Sequence, residues 1–227
     1  MIRTKTILSI NGSLGVGKTS FVQNLRKLVP NAIYLNEPVD LWLQIKDDES
    51  GENLLDLFYS DKKRWSYTFQ NVVFITRLNL LLNALADPSS DLIIMDGSLA
   101  SDKNIYARML HDDGYMSSIE WNAYNVWDHF SSQQIGVHQV YQVYLKCDPK
   151  VVMERVIKRG RPEEHTIDIT YLEKLQKYYD QQFINSDPKT FVYPFECQEQ
   201  SPEYFKILSD LKTLLTQPKT SSQCLQL

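Results

Sequence analysis

Thr6-Ile-Leu-Ser-Ile10, followed closely by Gly12-Ser-Leu-Gly15-Val-Gly17-Lys18-Thr19, decides the fold of this chain. The apolar run reads as a buried first strand. The glycine-rich turn behind it opens a helix whose apolar positions are Phe21, Val22, Leu25 and Leu28. Strand, turn and helix in that order build a phosphate-binding loop around Gly12, Gly15 and Gly17. Its backbone N–H groups and the helix N-terminus cradle phosphates. In such a loop Lys18 reaches the β- and γ-phosphates and the Thr19 hydroxyl is a ligand for Mg²⁺. The expected ligand is a nucleoside triphosphate.

Outward from this unit, short apolar runs alternate with helical stretches. Strands are expected at Thr6–Ile10, Ala32–Leu35, Leu92–Met95, Val140–Leu145 and Phe191–Tyr193. Such alternation means βαβ units, hence an α/β fold with a parallel sheet and helices on both faces. Ligands then collect at the carboxyl ends of the strands. The glycine loop follows the first strand, Glu37 the second and Asp96 the third. Helices are expected at Asn53–Tyr59, Lys62–Leu85, Asp102–His111 and Ser118–Phe130. Long apolar helices beyond the basic repeat suit packing against a second copy of the chain, and a homodimer is expected; the alternative is that they only cover the sheet.

The 227 residues, 43% of them hydrophobic, suffice for one large domain, expected over 1–216. The polar stretch 217–227 is expected to be a disordered tail. A net charge of −4 gives no electrostatic footing for a nucleic-acid or membrane-surface partner. Nor does any apolar run reach the roughly 20 residues of a membrane span. Cys147, Cys197 and Cys224 are too scattered for a disulfide framework or a metal site, and no secretory leader is evident. A cytoplasmic setting is expected.

Three groups of residues carry chemistry. Glu37-Pro38-Val39 places a carboxylate at a strand end near the phosphate loop, where it can take a proton from an attacking hydroxyl. Spacing alone leaves open that Glu37 is an ordinary helix-start acid. Gln70 and Arg77 share one face of the long helix and could read the edge of a base, or form a solvated face. Arg155, Arg159 and Arg161 surround Gly160 in a dense charge run. Such runs are usually solvated surface. Their spacing here suits a lid at about 155–168 whose guanidinium groups meet a triphosphate.

The chain resembles the deoxyribonucleoside kinases of the deoxycytidine, deoxyguanosine and deoxyadenosine branch. The likeness runs from about Thr6 to Phe183. It rests on the phosphate loop, Glu37-Pro-Val with Trp42, Asn53-Leu-Leu with Tyr59 and Arg64-Trp-Ser-Tyr-Thr-Phe-Gln70, Ser98 with Ser101-Asp102, and Arg159-Gly-Arg161 with Glu164 and Tyr171-Leu-Glu-Lys-Leu. The resemblance implies a P-loop kinase fold with a five-stranded parallel sheet, usually dimeric. It implies transfer of a phosphoryl group from ATP to a deoxynucleoside, with Mg²⁺. Glu37 would be the general base on the 5′-hydroxyl and Gln70 would bond the base. Arg77 and Asp102 would pair and contact the base edge, a pair that goes with dC, dA or dG rather than dT. Tyr59 and Glu164 would hold the 3′-hydroxyl. Trp42 and Tyr106 would line the pocket. Arg155, Arg159 and Arg161 would contact ATP phosphates.

One position departs from the family. An acidic-Arg-Ser triplet is expected after the third strand, and this chain has Asp96-Gly97-Ser98. Three readings follow. Another side chain such as Lys103 or Arg108 reaches the site; the acceptor is shifted, for instance to a nucleoside monophosphate; or the chain is a non-catalytic nucleotide-binding subunit.

Overall fold

The computed structural model describes residues 4–161, 164–165, 167–184, 189–194 and 202–216. The expected tail at 217–227 lies outside them, as do positions 162, 163 and 166 of the expected lid. Five strands, β1 (Thr6–Asn11), β2 (Ile33–Leu35), β3 (Leu92–Asp96), β4 (Gln139–Lys146) and β5 (Thr190–Pro194), form one sheet in the order β2-β3-β1-β4-β5. Every pairing is parallel. Each strand lies where the apolar runs place it, within a residue or two at the ends.

All six residues of β1 are buried, because a central parallel strand is covered on both faces. Alternation along the strands divides the core. Leu8, Ile10 and Ile94 pack with Phe21 and Leu25 of α1 (Lys18–Leu28), with Val152 and Val156 of α8 (Pro149–Arg159), and with Leu208 and Leu211 of α10 (Pro202–Thr216). Ile7, Ile93 and Met95 face the other way, onto Phe74, Leu78 and Leu81 of α4 (Lys62–Ala86) and Tyr124 of α7 (Ser118–Ile135). That split is the period-2 geometry of a strand read from its two sides.

By length and composition α4 could cross a membrane. Its buried face, which includes Gln70 and Arg77, is packed within the fold, as in a core helix. Caps set the starts of the neighbouring helices. Asn53 accepts from the Asp56 amide to begin α3 (Leu54–Ser60), and Asp61 accepts from the Arg64 amide to begin α4.

The helix expected at Asp102–His111 is more complex. A short α5 (Leu99–Ser101) passes into a π-helical stretch (Asp102–Ala107) and then into α6 (Arg108–Asp112). Wide turns of this kind are frequent at functional sites. Both Asp102 and Tyr106 lie on this one. The short α2 (Val39–Gln44) and α10 were not anticipated from the sequence. The segment from Tyr171 to Leu175 lies in α9 (Ile169–Phe183), whose Leu175, Tyr179 and Phe183 join Ile105 and Met109 in a third cluster.

Candidate active site

The phosphate loop forms as its residues demand. Gly15 has φ +74°, and a Cβ there would lie 2.7 Å from Val156 Cγ2. An L side chain would be excluded by backbone and neighbour alike. Lys18 Nζ donates to the carbonyls of Gly12 at 2.9 Å and Ser13 at 3.1 Å. Burial draws its ammonium below the ordinary lysine value, while Asp96 and Glu37 pull the other way.

Thr19 Oγ1 donates to Asp96 Oδ2 at 2.8 Å. Asp96 closes β3, and the parallel register sets it opposite Ile10, one residue before β1 ends. Burial raises its carboxyl above the usual range, against the pull of Lys18. From the sequence Asp96 is a strand-end residue without an assigned role. Its signal was an acid closing a buried strand next to the one that carries the glycine loop. A carboxylate and a hydroxyl in contact are hard oxygen donors. They suit Mg²⁺, which takes one or two protein ligands and completes its shell with phosphate and water.

Glu37 follows β2, and Arg77 reaches it from α4. Arg77 Nη2 donates to Glu37 Oε1 at 3.2 Å, Nε to Asp102 Oδ2 at 2.7 Å, and Nη1 to the Asp96 carbonyl at 2.5 Å. The face shared by Gln70 and Arg77 is therefore interior, with both residues 3% exposed, and the solvated alternative is excluded. Burial opposes the charge on Arg77, but Asp102 and Glu37 outweigh it and hold the guanidinium firmly protonated. Burial also pushes the Asp102 carboxyl up to about 6, against the pull of Arg77.

A cavity of about 1410 Å³ runs from the phosphate loop past Glu37 into the space between α4 and the π-helical stretch. Trp42, Tyr59, Gln70, Asp102 and Tyr106 all line it. Trp42 is fixed by a hydrogen bond from its indole N–H to Thr76 Oγ1 at 3.1 Å and by edge-on contact with Phe69. Tyr106 Oη accepts from Tyr179 at 3.4 Å, and burial raises its phenol well above the ordinary value. Gln70 Oε1 is buried without a hydrogen-bond partner among the described residues, so a ligand donor is what would complete it.

The arginines divide. Arg155 donates to the Val16 carbonyl at 2.7 Å, bracing the phosphate loop from α8. Arg159 grips Glu164 through both Oε atoms at 2.6 Å, and Arg161 lies 3.6 Å from the same carboxylate. All four residues border the cavity. Gly12 and Arg77 lie behind its wall rather than on it. The two replacements considered for the absent triplet arginine do not reach the site. Lys103 pairs with Asp128, and Arg108 pairs with Asp112 beside the Trp121 ring. Asp128 lies on α7 and Asp112 one turn on from Arg108 in α6, and neither Lys103 nor Arg108 borders the cavity.

Comparison with known proteins shows the family of the chain. A family model described as deoxynucleoside kinase matches residues 8–216. A probable deoxycytidine kinase of fowlpox virus is 32% identical over 194 residues, covering 86% of this chain and 78% of its own. The mitochondrial deoxyguanosine kinase of Xenopus laevis is 30% identical over 210 residues, covering 86% and 78%. The deoxycytidine kinase of Bos taurus is 29% identical over 200 residues, covering 81% and 77%. The family model covers most of the chain, and a glycine loop and a strand-end carboxylate border one cavity: the chain belongs to the deoxynucleoside kinase family.

Proposed function

We propose that this deoxynucleoside kinase transfers the γ-phosphoryl group of ATP to the 5′-hydroxyl of dC, dA or dG, with Mg²⁺. The observation that carries the reading is the single cavity joining Lys18 and Thr19 to Glu37, and Glu37 to Gln70 and Asp102. The loop amides and Lys18 hold the donor phosphates. Thr19 and Asp96 would hold Mg²⁺, which neutralises phosphate charge when bound. Glu37 takes the proton of the acceptor hydroxyl as its oxygen bonds to phosphorus and the bond to the ADP oxygen breaks. Arg159 and Arg161 neutralise the transferring group and exclude water. Tyr59 and Glu164 hold the 3′-hydroxyl, while Trp42 and Tyr106 enclose sugar and base. Gln70 and Asp102 meet the base edge, which supports dC, dA or dG over dT.

The test is label transfer from γ-labelled ATP to each of the four deoxynucleosides and their monophosphates. Transfer to dC, dA or dG is expected. Transfer to monophosphates alone would make the acceptor a nucleotide. No transfer to any acceptor would make the chain a nucleotide-binding subunit.

The same reading includes a homodimer in the cytoplasm. Ile119 and Val126 of α7 are 74% and 66% exposed, and Trp127 and Phe130 continue the stripe at helical spacing. Light scattering on the purified chain should give a dimer, and Val126→Glu a monomer.

A further inference from the structure

Gly97 and Arg77 fit together in a way that gives Arg77 a different task from reading the base. Gly97 has φ +83°, and its amide donates to the Ile10 carbonyl at 2.8 Å. A Cβ built there would stand 3.0 Å from Arg77 Nη1, 3.1 Å from Nη2 and 3.2 Å from Cζ. The guanidinium lies flat over the glycine, in the room that any side chain at 97 would claim. From that place its three nitrogens fan out to three separate elements: Nε to Asp102 on the π-helical stretch, Nη1 to the end of β3, and Nη2 to Glu37 beyond β2. A planar fork with fixed donor directions can span such a set, and a lysine cannot. The side chain is almost fully enclosed, at 4% exposed, and lies outside the cavity that Glu37, Gln70 and Asp102 border.

We infer that Arg77 is a positioning residue for the base Glu37, and that the bare backbone at Gly97 is what lets its guanidinium lie there. Arg77 binds Glu37 Oε1 and so sets the direction of the other carboxylate oxygen, the one that meets the acceptor hydroxyl. It spends its remaining donors on Asp102 and the β3 carbonyl. The base edge is then left to Gln70 and Asp102. Because Asp102 and Glu37 hang on one guanidinium, the group that meets the base and the group that takes the proton are set by the same plane. This replaces Lys103 and Arg108 as the answer to the missing triplet arginine with a residue already in the core.

The inference rests on Glu37 being the base in the proposed reaction, and the experiment separates the two. Turnover, acceptor KM and calorimetric acceptor affinity are measured for the unmodified chain, Asp102→Asn, and the double variant Arg77→Gln/Asp102→Asn. The double variant removes both partners of the buried pair, so no lone charge is left inside. Asp102→Asn is expected to raise acceptor KM. Adding Arg77→Gln is expected to lower kcat by a further ~10²-fold, the scale of losing one preorganised group, with no further loss of acceptor affinity. Free guanidinium ion should restore part of that kcat, and methylammonium should not. Gly97→Ala provides a second arm should the double variant not fold, judged by ATP-analogue binding. Its Cβ would stand 3.0–3.2 Å from the guanidinium and force it to shift by a few tenths of an ångström, so kcat should fall while acceptor affinity holds. A kcat in the double variant equal to that of Asp102→Asn, or a loss carried by KM and differing from base to base, overturns the positioning role. An unmodified chain that phosphorylates no acceptor overturns the proposed function instead.

Discussion

Replacing Glu37 by Gln removes the proton acceptor while keeping the shape of the side chain and an oxygen for Arg77 Nη2. General-base help is worth ~10²–10⁴-fold, so the barrier should rise by about 2.7–5.4 kcal/mol at 1.36 kcal/mol per tenfold. The fold should barely register the change. The Glu37 side chain is 42% exposed, and a solvent-screened pair contributes at most about 1 kcal/mol. Arg77 keeps Asp102 at 2.7 Å, so no buried charge is left without a partner. A loss of about 1 kcal/mol lowers Tm by roughly 2–4 °C in a domain of this size. The assay is label transfer from γ-labelled ATP, beside calorimetric titration of the deoxynucleoside and of a non-hydrolysable ATP analogue. Turnover should collapse while both affinities stay within about threefold. Turnover within about tenfold of the unmodified chain would refute the base assignment. An equal loss of binding and turnover would show Glu37 to be a binding group instead.

Gln70→Leu should leave the unliganded chain as stable or more so, because it removes a buried acceptor that lacks a partner; thermal melting checks this. The same variant should raise acceptor KM, and an unchanged KM would exclude contact with the base. Ser117→Ala removes the reciprocal cap of α7, where Ser117 and Glu120 bond each other's backbone amides, and should lower stability by about 1 kcal/mol in urea unfolding. The Ser117 amide and hydroxyl hold the Glu120 carboxyl below its ordinary value of 4.5. That contribution is present above about pH 4.5 and lost as pH falls through the lowered value, so the deficit of Ser117→Ala against the unmodified chain should shrink in acid. Lys18→Ala should abolish the rise in Tm that Mg-ATP gives the unmodified chain, since ligand-linked stability requires binding.

Most of the architecture was legible from the chain alone because it is set locally. Thr6–Ile10 is apolar at every position but Thr6 and Ser9, so both faces of β1 must be covered, and a parallel sheet with helices on either side follows. The glycine loop was legible for the same reason, since Gly15 takes φ +74°, a backbone conformation that L side chains rarely adopt. Asn53 and Asp61 mark their helix starts through bonds spanning three residues. The resemblance to a family, carried by several motifs in order, also named Glu37, Gln70 and Asp102 together, and the structure brings all three to one cavity.

What only the tertiary structure decided are the contacts made between strand ends far apart in sequence. Asp96 meets Thr19 across 77 residues because β3 and β1 pair in register, and no spacing rule in the chain reports that distance. The π-helical stretch, which packs against α4 and α9, carries no local pattern that marks its wide turn. Arg77 is the clearest case. Its position on a helix face could be read from the sequence, but its direction could not. The side chain turns toward Glu37 and Asp102 because Gly97, twenty residues away and on another element, leaves the space empty, and a buried guanidinium settles where its donors are all satisfied.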